Sequence, residues 1–219
     1  MLKDYSILMQ SLPFLFQGVW ITIEIALTSI VIGLLGGMII GVLNCKKMQH
    51  PFLTPLLNSF VWVIRGTPLF VQALIAYYAL PEMIGISLSP FTAGVIALGI
   101  NSTAYISEIV RGGINAIAQG QWEAAYILGL NRLQTLKGII LPQMLRINLP
   151  SLTNELTALI KETSVLMVIG VAELTKVSRD IVARELDPMT IYLAAAFLYL
   201  IMTSSVSLLA QYTEKRWHL

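Results

Sequence analysis

Five stretches of this chain are long and apolar enough to cross the hydrocarbon core of a bilayer, which takes roughly 20 consecutive apolar residues in a helix. They run over about 19–43, 53–80, 91–110, 147–171 and 189–210. A chain that must bury this much apolar surface in lipid pairs its backbone polar groups internally, and runs of this length predict helices. Composition agrees: only 12% of the 219 residues are charged, against about 25% in a water-soluble domain. The expected fold is an all-α integral membrane protein with five transmembrane helices.

The spans differ in quality. The first is broken only by Glu24, the second by Arg65-Gly66-Thr67-Pro68, and the fourth is the most polar. Pro68 removes a helical hydrogen bond and pushes Thr67 toward an extended conformation. The second span therefore either breaks there or begins later, near Leu69. Lys and Arg near span ends set orientation. Lys46 and Lys47 follow span one, Arg111, Arg132, Lys137 and Arg146 lie between spans three and four, and Lys215 and Arg216 follow span five. With five spans these fall on one side, which places the N-terminus outside and the C-terminus in the cytoplasm. The segment after span four mixes Lys176, Arg179 and Arg184 with Glu173, Asp180, Glu185 and Asp187 and gives no clear vote. Lys3 and Asp4 precede span one without a small-residue cleavage site, so the first span itself is expected to direct insertion. The chain reads as one domain, residues 1–219, without repeats or linkers.

Several function classes are excluded or left without support. A net charge of +2 gives no nucleic-acid footprint, and the single cysteine, Cys45, excludes an internal disulfide. His50 and His218 are isolated and make no metal site. No catalytic triad or paired-carboxylate arrangement is present, and no Gly-x4-Gly-Lys-Ser/Thr phosphate loop occurs. The chain is read as non-enzymatic and binding no cofactor itself. Tyr77 and Tyr78, and Trp217 near the C-terminus, suit interfacial aromatic belts. Gly33, Gly37 and Gly41 recur every fourth residue in span one and offer a flat face for close helix packing.

Polar residues within the spans are the candidates for function, because a charge at mid-bilayer faces protein or a water cavity. In span four, Asn154, Thr157, Lys161 and Ser164 share one helical face, with Glu155 and Glu162 beside it. Span three adds Asn101, Ser102, Thr103 and Glu108. Lys161 and the hydroxyls can serve a carboxylate, and Glu108 or Glu162 an ammonium. The same residues can instead join helices, with Lys161 paired to a nearby glutamate.

The cytoplasmic segment over about 112–136 is too long for a tight turn and rich in helix formers, so one or two short amphipathic helices are expected there. Within it Glu123-Ala124-Ala125 is followed by Gly129 and then by Ile139-Ile140-Leu141-Pro142. Small Ala124 and Ala125 allow close approach of a partner, Glu123 can anchor the helix by a charged hydrogen bond, and Gly129 suits a left-handed cap. Glu123 and two alanines alone fit an ordinary surface helix. The full spacing through Pro142, between two spans, is that of a docking loop.

These residues resemble the permease subunits of polar amino acid ABC importers, the histidine/glutamine/arginine group. The resemblance also rests on Arg65-Gly66-Thr67-Pro68-Leu69 with Gln72, on Ala104-Tyr105 and Glu108 to Ile114, on Gly120 to Ala125, on Leu141-Pro142-Gln143, on Lys161 to Ser164 and on Ile169 to Leu174. It covers the chain from about Gly18 to the end of span five. Lys161-Glu162 departs from the Lys-Asp of many members. The resemblance implies a five-span core with a coupling helix between spans three and four (Glu123, Ala124, Ala125, Gly129). It implies two copies of a cytoplasmic ATPase that bind the ATP and Mg, a second permease (the same chain or a sister) and an extracytoplasmic amino-acid-binding protein, all at a bacterial plasma membrane. The substrate pathway is expected at Asn101, Glu108, Asn154, Thr157, Lys161, Glu162 and Ser164. An ion-coupled secondary carrier is the alternative, but such carriers usually show internal repeats. A purely structural scaffold leaves the polar stripes unexplained.

Overall fold

The computed structural model describes the backbone of residues 2–216 and the side chains of 6–215; Trp217 and His218 lie outside the described residues. Among the described residues every regular element is helical. The order is α1 (Leu2–Leu43), α2 (Leu53–Gly66), α3 (Leu69–Leu74), a π turn (Ile75–Ala79), α4 (Leu80–Ile84), α5 (Pro90–Ala116), α6 (Gln119–Ile127), α7 (Arg132–Thr135), a second π turn (Leu136–Ile140), α8 (Leu141–Glu162), a 3₁₀ segment (Thr163–Ile169), α9 (Leu174–Glu185) and α10 (Pro188–Arg216). Both π turns end one residue before a Leu-Pro pair, Leu80-Pro81 and Leu141-Pro142. Proline has no N–H to return to the preceding turn, and a widened turn accommodates that loss.

The centre of the fold is α1 laid along α5. The glycine stripe sits on this seam: a Cβ built on Gly33 would lie 2.5 Å from Ser102 Oγ, on Gly37 2.6 Å from Ile106 Cβ, and on Gly41 2.6 Å from the Ser107 carbonyl. Only glycine permits this approach. α5 starts sharply because Ser89 accepts a 3.1 Å bond from Thr92 N and Pro90 takes the first turn. A first core joins α1, α3, α5 and α8 around Ile25, Leu98, Ile106, Met144, Leu159 and Leu166. A second joins the N-terminal half of α1 to α9 and α10 around Leu15, Leu174, Ile181 and Ile191.

Three helices are long and apolar enough to cross a membrane, over Ser6–Leu43, Pro90–Ala116 and Pro188–Lys215. The second expected span is not one straight helix. α2 and the run Leu69–Ile84 meet at 102°, with Thr67 extended at φ −115°, ψ 144°; counted together they make a fourth candidate. The expected fourth span, 147–171, falls on α8 and the 3₁₀ segment, and α8 lacks the apolarity to qualify by composition. The mixed-charge segment after it forms α9, held by a buried cap: Glu173 accepts from Lys176 N at 2.7 Å, Thr175 N at 2.9 Å and the Tyr199 hydroxyl at 2.8 Å. The mixed charges of this segment alone do not announce that helix.

Candidate translocation face and docking loop

The break in the second span is stitched by one side chain. Gln72 Nε2 donates to the Ile64 carbonyl at 2.7 Å, the Thr67 carbonyl at 3.1 Å and Thr67 Oγ1 at 2.9 Å. The two carbonyls are groups that the extended Thr67-Pro68 step removes from the helical ladder. Gln72 Oε1 in turn accepts from Asn101 Nδ2 at 3.0 Å, so the break is tied to the middle of α5. Asn101 is buried and engaged in this network.

About two helical turns toward the C-terminal end of α5, Glu108 meets two arginines. Arg111 holds both carboxylate oxygens, Nε at 2.9 Å and Nη2 at 2.6 Å. Arg65, at the end of α2, stands 3.7 Å from Glu108 and lies 5.0 Å over the Tyr105 ring. These side chains line a cavity of about 630 Å³ with Asn58 and Trp62. On α8, Asn154 and Lys161 are exposed and Thr157 and Glu162 are half-buried, as is Ser164 in the 3₁₀ segment that follows. The Thr157 hydroxyl donates to the Asn154 carbonyl at 2.8 Å and the Ser164 hydroxyl to the Lys161 carbonyl at 2.6 Å, so both donate to backbone three residues back. Lys161 makes no ion pair among the described residues. The expected pathway residues thus divide into a bonded set, Asn101 and Glu108, and an open set on α8. The sequence assigns no site role to Arg65, Tyr105 or Gln72; the signal for Arg65 and Gln72 is the Pro68 break that they flank.

Elsewhere the chain exposes a mostly apolar surface, broken on α1 by Glu24. Trp20, Leu27, Val31, Leu35 and Ile39 of α1 and Leu193, Phe197, Leu200 and Leu208 of α10 are all exposed. A bilayer satisfies such a surface, whereas the exposed charges of α2, α5 and α8 need protein or water.

Below the spans, α6 and α7 form a braced hairpin. α6 closes in a Schellman motif: Leu130 N donates to the Ala125 carbonyl at 3.1 Å and Gly129 N to the Tyr126 carbonyl at 2.9 Å, with Gly129 at φ 75°. Asn131 and Gln134 then make a reciprocal capping box for α7. Glu123 and Ala124 are exposed, whereas Ala125 is fully buried against its own chain. Gln119 Nε2 donates to Glu123 at 2.8 Å. Trp122 packs into the main core, Arg132 reaches the Lys47 carbonyl at 3.2 Å, and Asn115 accepts from Lys46 N at 3.0 Å. The tip nevertheless exposes Tyr126, Ile127 and Leu128 at 75–83%. Contiguous apolar residues left open on a polar loop mark a protein-binding surface.

The described residues thus form an all-helical chain with a charged cavity at the end of α2, exposed apolar helix surface and an apolar-tipped hairpin. A family model described as binding-protein-dependent transport system inner membrane component matches residues 30–219, and the chain belongs to that family. It is 39% identical over 216 residues to the glutamine transport system permease protein of Escherichia coli (strain K12), covering 97% of each chain. It is 38% identical over 205 residues to the L-cystine transport system permease protein of Bacillus subtilis, covering 93% of this chain and 86% of the relative. It is 33% identical over 213 residues to the arginine transport system permease protein of the same organism, covering 97% and 96%. A crystal structure of an amino acid ABC transporter with histidines superposes with a TM-score of 0.87 at 36% identity, covering 95% and 96%. An inward-facing structure of the MetNI methionine ABC transporter shares the fold, with a TM-score of 0.82 at 18% identity, covering 93% and 95%. The chain is therefore a multi-pass inner-membrane permease subunit of an ABC importer, non-catalytic, with an ATPase, a solute-binding protein and a second permease as its partners.

Proposed function

We propose that this chain conducts a polar amino acid into a bacterial cell as one half of a five-span permease pair. The observation that carries the reading is the braced α6–α7 hairpin with its exposed Tyr126-Ile127-Leu128 tip, on a chain whose relatives are named for glutamine, cystine and arginine transport. The hairpin, with Glu123, Ala124, Ala125 and Gly129, is the coupling element. It seats in one of two ATPase copies that hold ATP and Mg and carries their movement to the spans as a rigid body. α8 with its 3₁₀ segment counts as the fourth span, shielded from lipid by α1, α5 and α10 and thus free to be polar. The N-terminus then lies outside and the C-terminus in the cytoplasm. The charged face of α2, α5 and α8 turns toward the second permease, the same chain or a sister. The route between them is lined by Asn101, Glu108, Asn154, Thr157, Lys161, Glu162 and Ser164. An external binding protein delivers the amino acid. An ion-coupled carrier has no use for such a hairpin and is not favoured.

Uptake of radiolabelled amino acid into proteoliposomes holding this chain, its partner ATPase and an external binding protein tests the reading. Uptake is expected to need ATP and to collapse in Glu123→Arg while the chain remains inserted. Uptake that ignores ATP and follows an ion gradient would overturn it.

A further inference from the structure

The cavity at the end of α2 carries an unbalanced charge. The charged groups of its lining are Arg65, Arg111 and Glu108, two cations to one anion, and the Glu155 carboxylate of α8 lies within electrostatic reach of Arg65 outside the lining. Arg111 grips both oxygens of Glu108, with one N–H to each. Arg65 touches Glu108 only at 3.7 Å, beyond hydrogen-bond reach, and makes no hydrogen bond among the described residues. Its guanidinium is instead fixed in place over the Tyr105 ring at 5.0 Å. A planar fork of five N–H donors, oriented and without an acceptor, fits a carboxylate in two parallel bonds. The space, about 630 Å³, falls in the usual range for small-molecule sites of about 300–1,000 Å³.

The depth of the cavity follows from two side-chain ties. Asn44 Nδ2 bonds Asn58 Oδ1 at 3.0 Å, and Lys46 N bonds Asn115 Oδ1 at 3.0 Å, so the inner ends of α1, α2 and α5 share one level. Arg65 is seven residues beyond Asn58, and Glu108 is seven before Asn115. At 1.5 Å per residue both stand about 10 Å above that level, and Asn101 about 10 Å higher again. The cluster lies between the mid-membrane polar face and the cytoplasm, on the way out.

Resting on the importer reading above, we propose that this cavity is an inner binding station. Arg65 receives the α-carboxylate of the travelling amino acid there, and the surplus positive charge favours neutral or acidic side chains over cationic ones. Glu108, held by Arg111, does not serve the ammonium; it and Tyr105 position Arg65.

The test is equilibrium binding to the complete permease–ATPase complex in phosphatidylcholine nanodiscs, without nucleotide or binding protein. The probes are L-glutamine, L-glutamate, L-arginine and L-glutaminamide, the last lacking only the carboxylate. The wild type is expected to bind glutamine and glutamate saturably and to prefer glutamine over its amide by roughly ten- to a hundredfold, the range of a charged hydrogen bond. Arg65→Gln should bring that ratio near one and relieve the discrimination against arginine, and Arg65→Lys should retain part of both. A ratio within one variant does not depend on the fraction folded. Equal binding of glutamine and its amide by the wild type, an unchanged ratio in Arg65→Gln, or no saturable binding of glutamine or glutamate would overturn the station. So would an Arg65 effect seen only as loss of phosphatidylglycerol dependence, which would assign the fork to a lipid phosphate. If ATP-driven uptake persists in any of these cases, the importer reading stands; if uptake is not ATP-driven, that reading fails first.

Discussion

Gly37→Ala tests whether the α1–α5 seam holds the fold. The new Cβ would sit 2.6 Å from both Cβ and Cγ2 of Ile106 and 3.0 Å from Ser107 N, where ordinary contact is 3.4–4 Å. The helices must part by about 0.8 Å at this point, and Gly33 and Gly41 lie on the same seam. A radial gap of about 0.5–1 Å forfeits a quarter to a half of each neighbouring van der Waals contact. Overpacking of this kind typically costs about 1–3 kcal/mol, and the spread of the gap along the seam puts this case near the top. Alanine returns about 1 kcal/mol of helix propensity, leaving a net loss of about 2 kcal/mol. Gly112 is the control: it lies in α5, is exposed, and a Cβ there meets nothing within 4 Å. Gly112→Ala should gain about 0.5–1 kcal/mol from propensity alone. For a chain of this size 1 kcal/mol moves the melting point by about 2–4 °C. Thermal denaturation of the detergent-purified complex, followed by tryptophan fluorescence, should therefore show Gly37→Ala melting roughly 4–8 °C below wild type and Gly112→Ala slightly above it. A Gly37→Ala protein that melts at or above wild type would refute the seam argument, since propensity would then be the only term acting.

Gln72→Leu should destabilise by about 1–3 kcal/mol, because it strips partners from the Ile64 and Thr67 carbonyls and from Asn101; faster proteolysis at the α2–α3 break in inside-out vesicles is the readout. Glu173→Gln and Tyr199→Phe should each destabilise and be less than additive, with a coupling of about 0.5–3 kcal/mol in a double-mutant thermal-melt cycle. Burial raises the Cys45 thiol above its ordinary value, so the reactive thiolate is scarcer than in an exposed cysteine at the same pH. Labelling by a membrane-permeant maleimide at pH 8 should be slower than for a free exposed thiol, rising as pH rises and reaching the exposed rate only after denaturation.

The parts of this fold that were legible are those fixed by solvent transfer or by local backbone chemistry. The cores of α1, α5 and α10 stand out because lipid demands unbroken apolar runs, and Pro68 marks Thr67 as extended because its effect is covalent, though it leaves open whether the span breaks there or begins later. α8 was harder, since a helix covered by other helices can be polar and then resembles a loop by hydropathy. α9 was missed for a related reason: its cap draws on Tyr199, 26 residues away, and no local pattern encodes that bond. The site shows the same division. Periodicity put Asn154, Thr157, Lys161 and Ser164 on one face, yet it could not say that the Thr157 and Ser164 hydroxyls turn back to their own helix. Spacing brought Glu108 forward but not the Arg111 grip that closes it, or the free fork of Arg65 beside it.

The glycine stripe also has a meaning in time. Small residues every fourth position make a surface by which two helices pair in lipid, whichever chain the second helix belongs to. During synthesis α1 enters the membrane first, and Ser102 to Val110 emerge some 65 residues after Gly41. At about 5–20 residues per second that interval is roughly 3–13 s. Throughout it, the stripe of one nascent chain is open to the stripe of another. Tethering then decides the race, because a partner on the same chain is present at an effective concentration in the millimolar range. Dense expression would tilt the contest toward premature pairing, so the yield of correctly built permease depends on how crowded the insertion site is as well as on how well the finished helices fit.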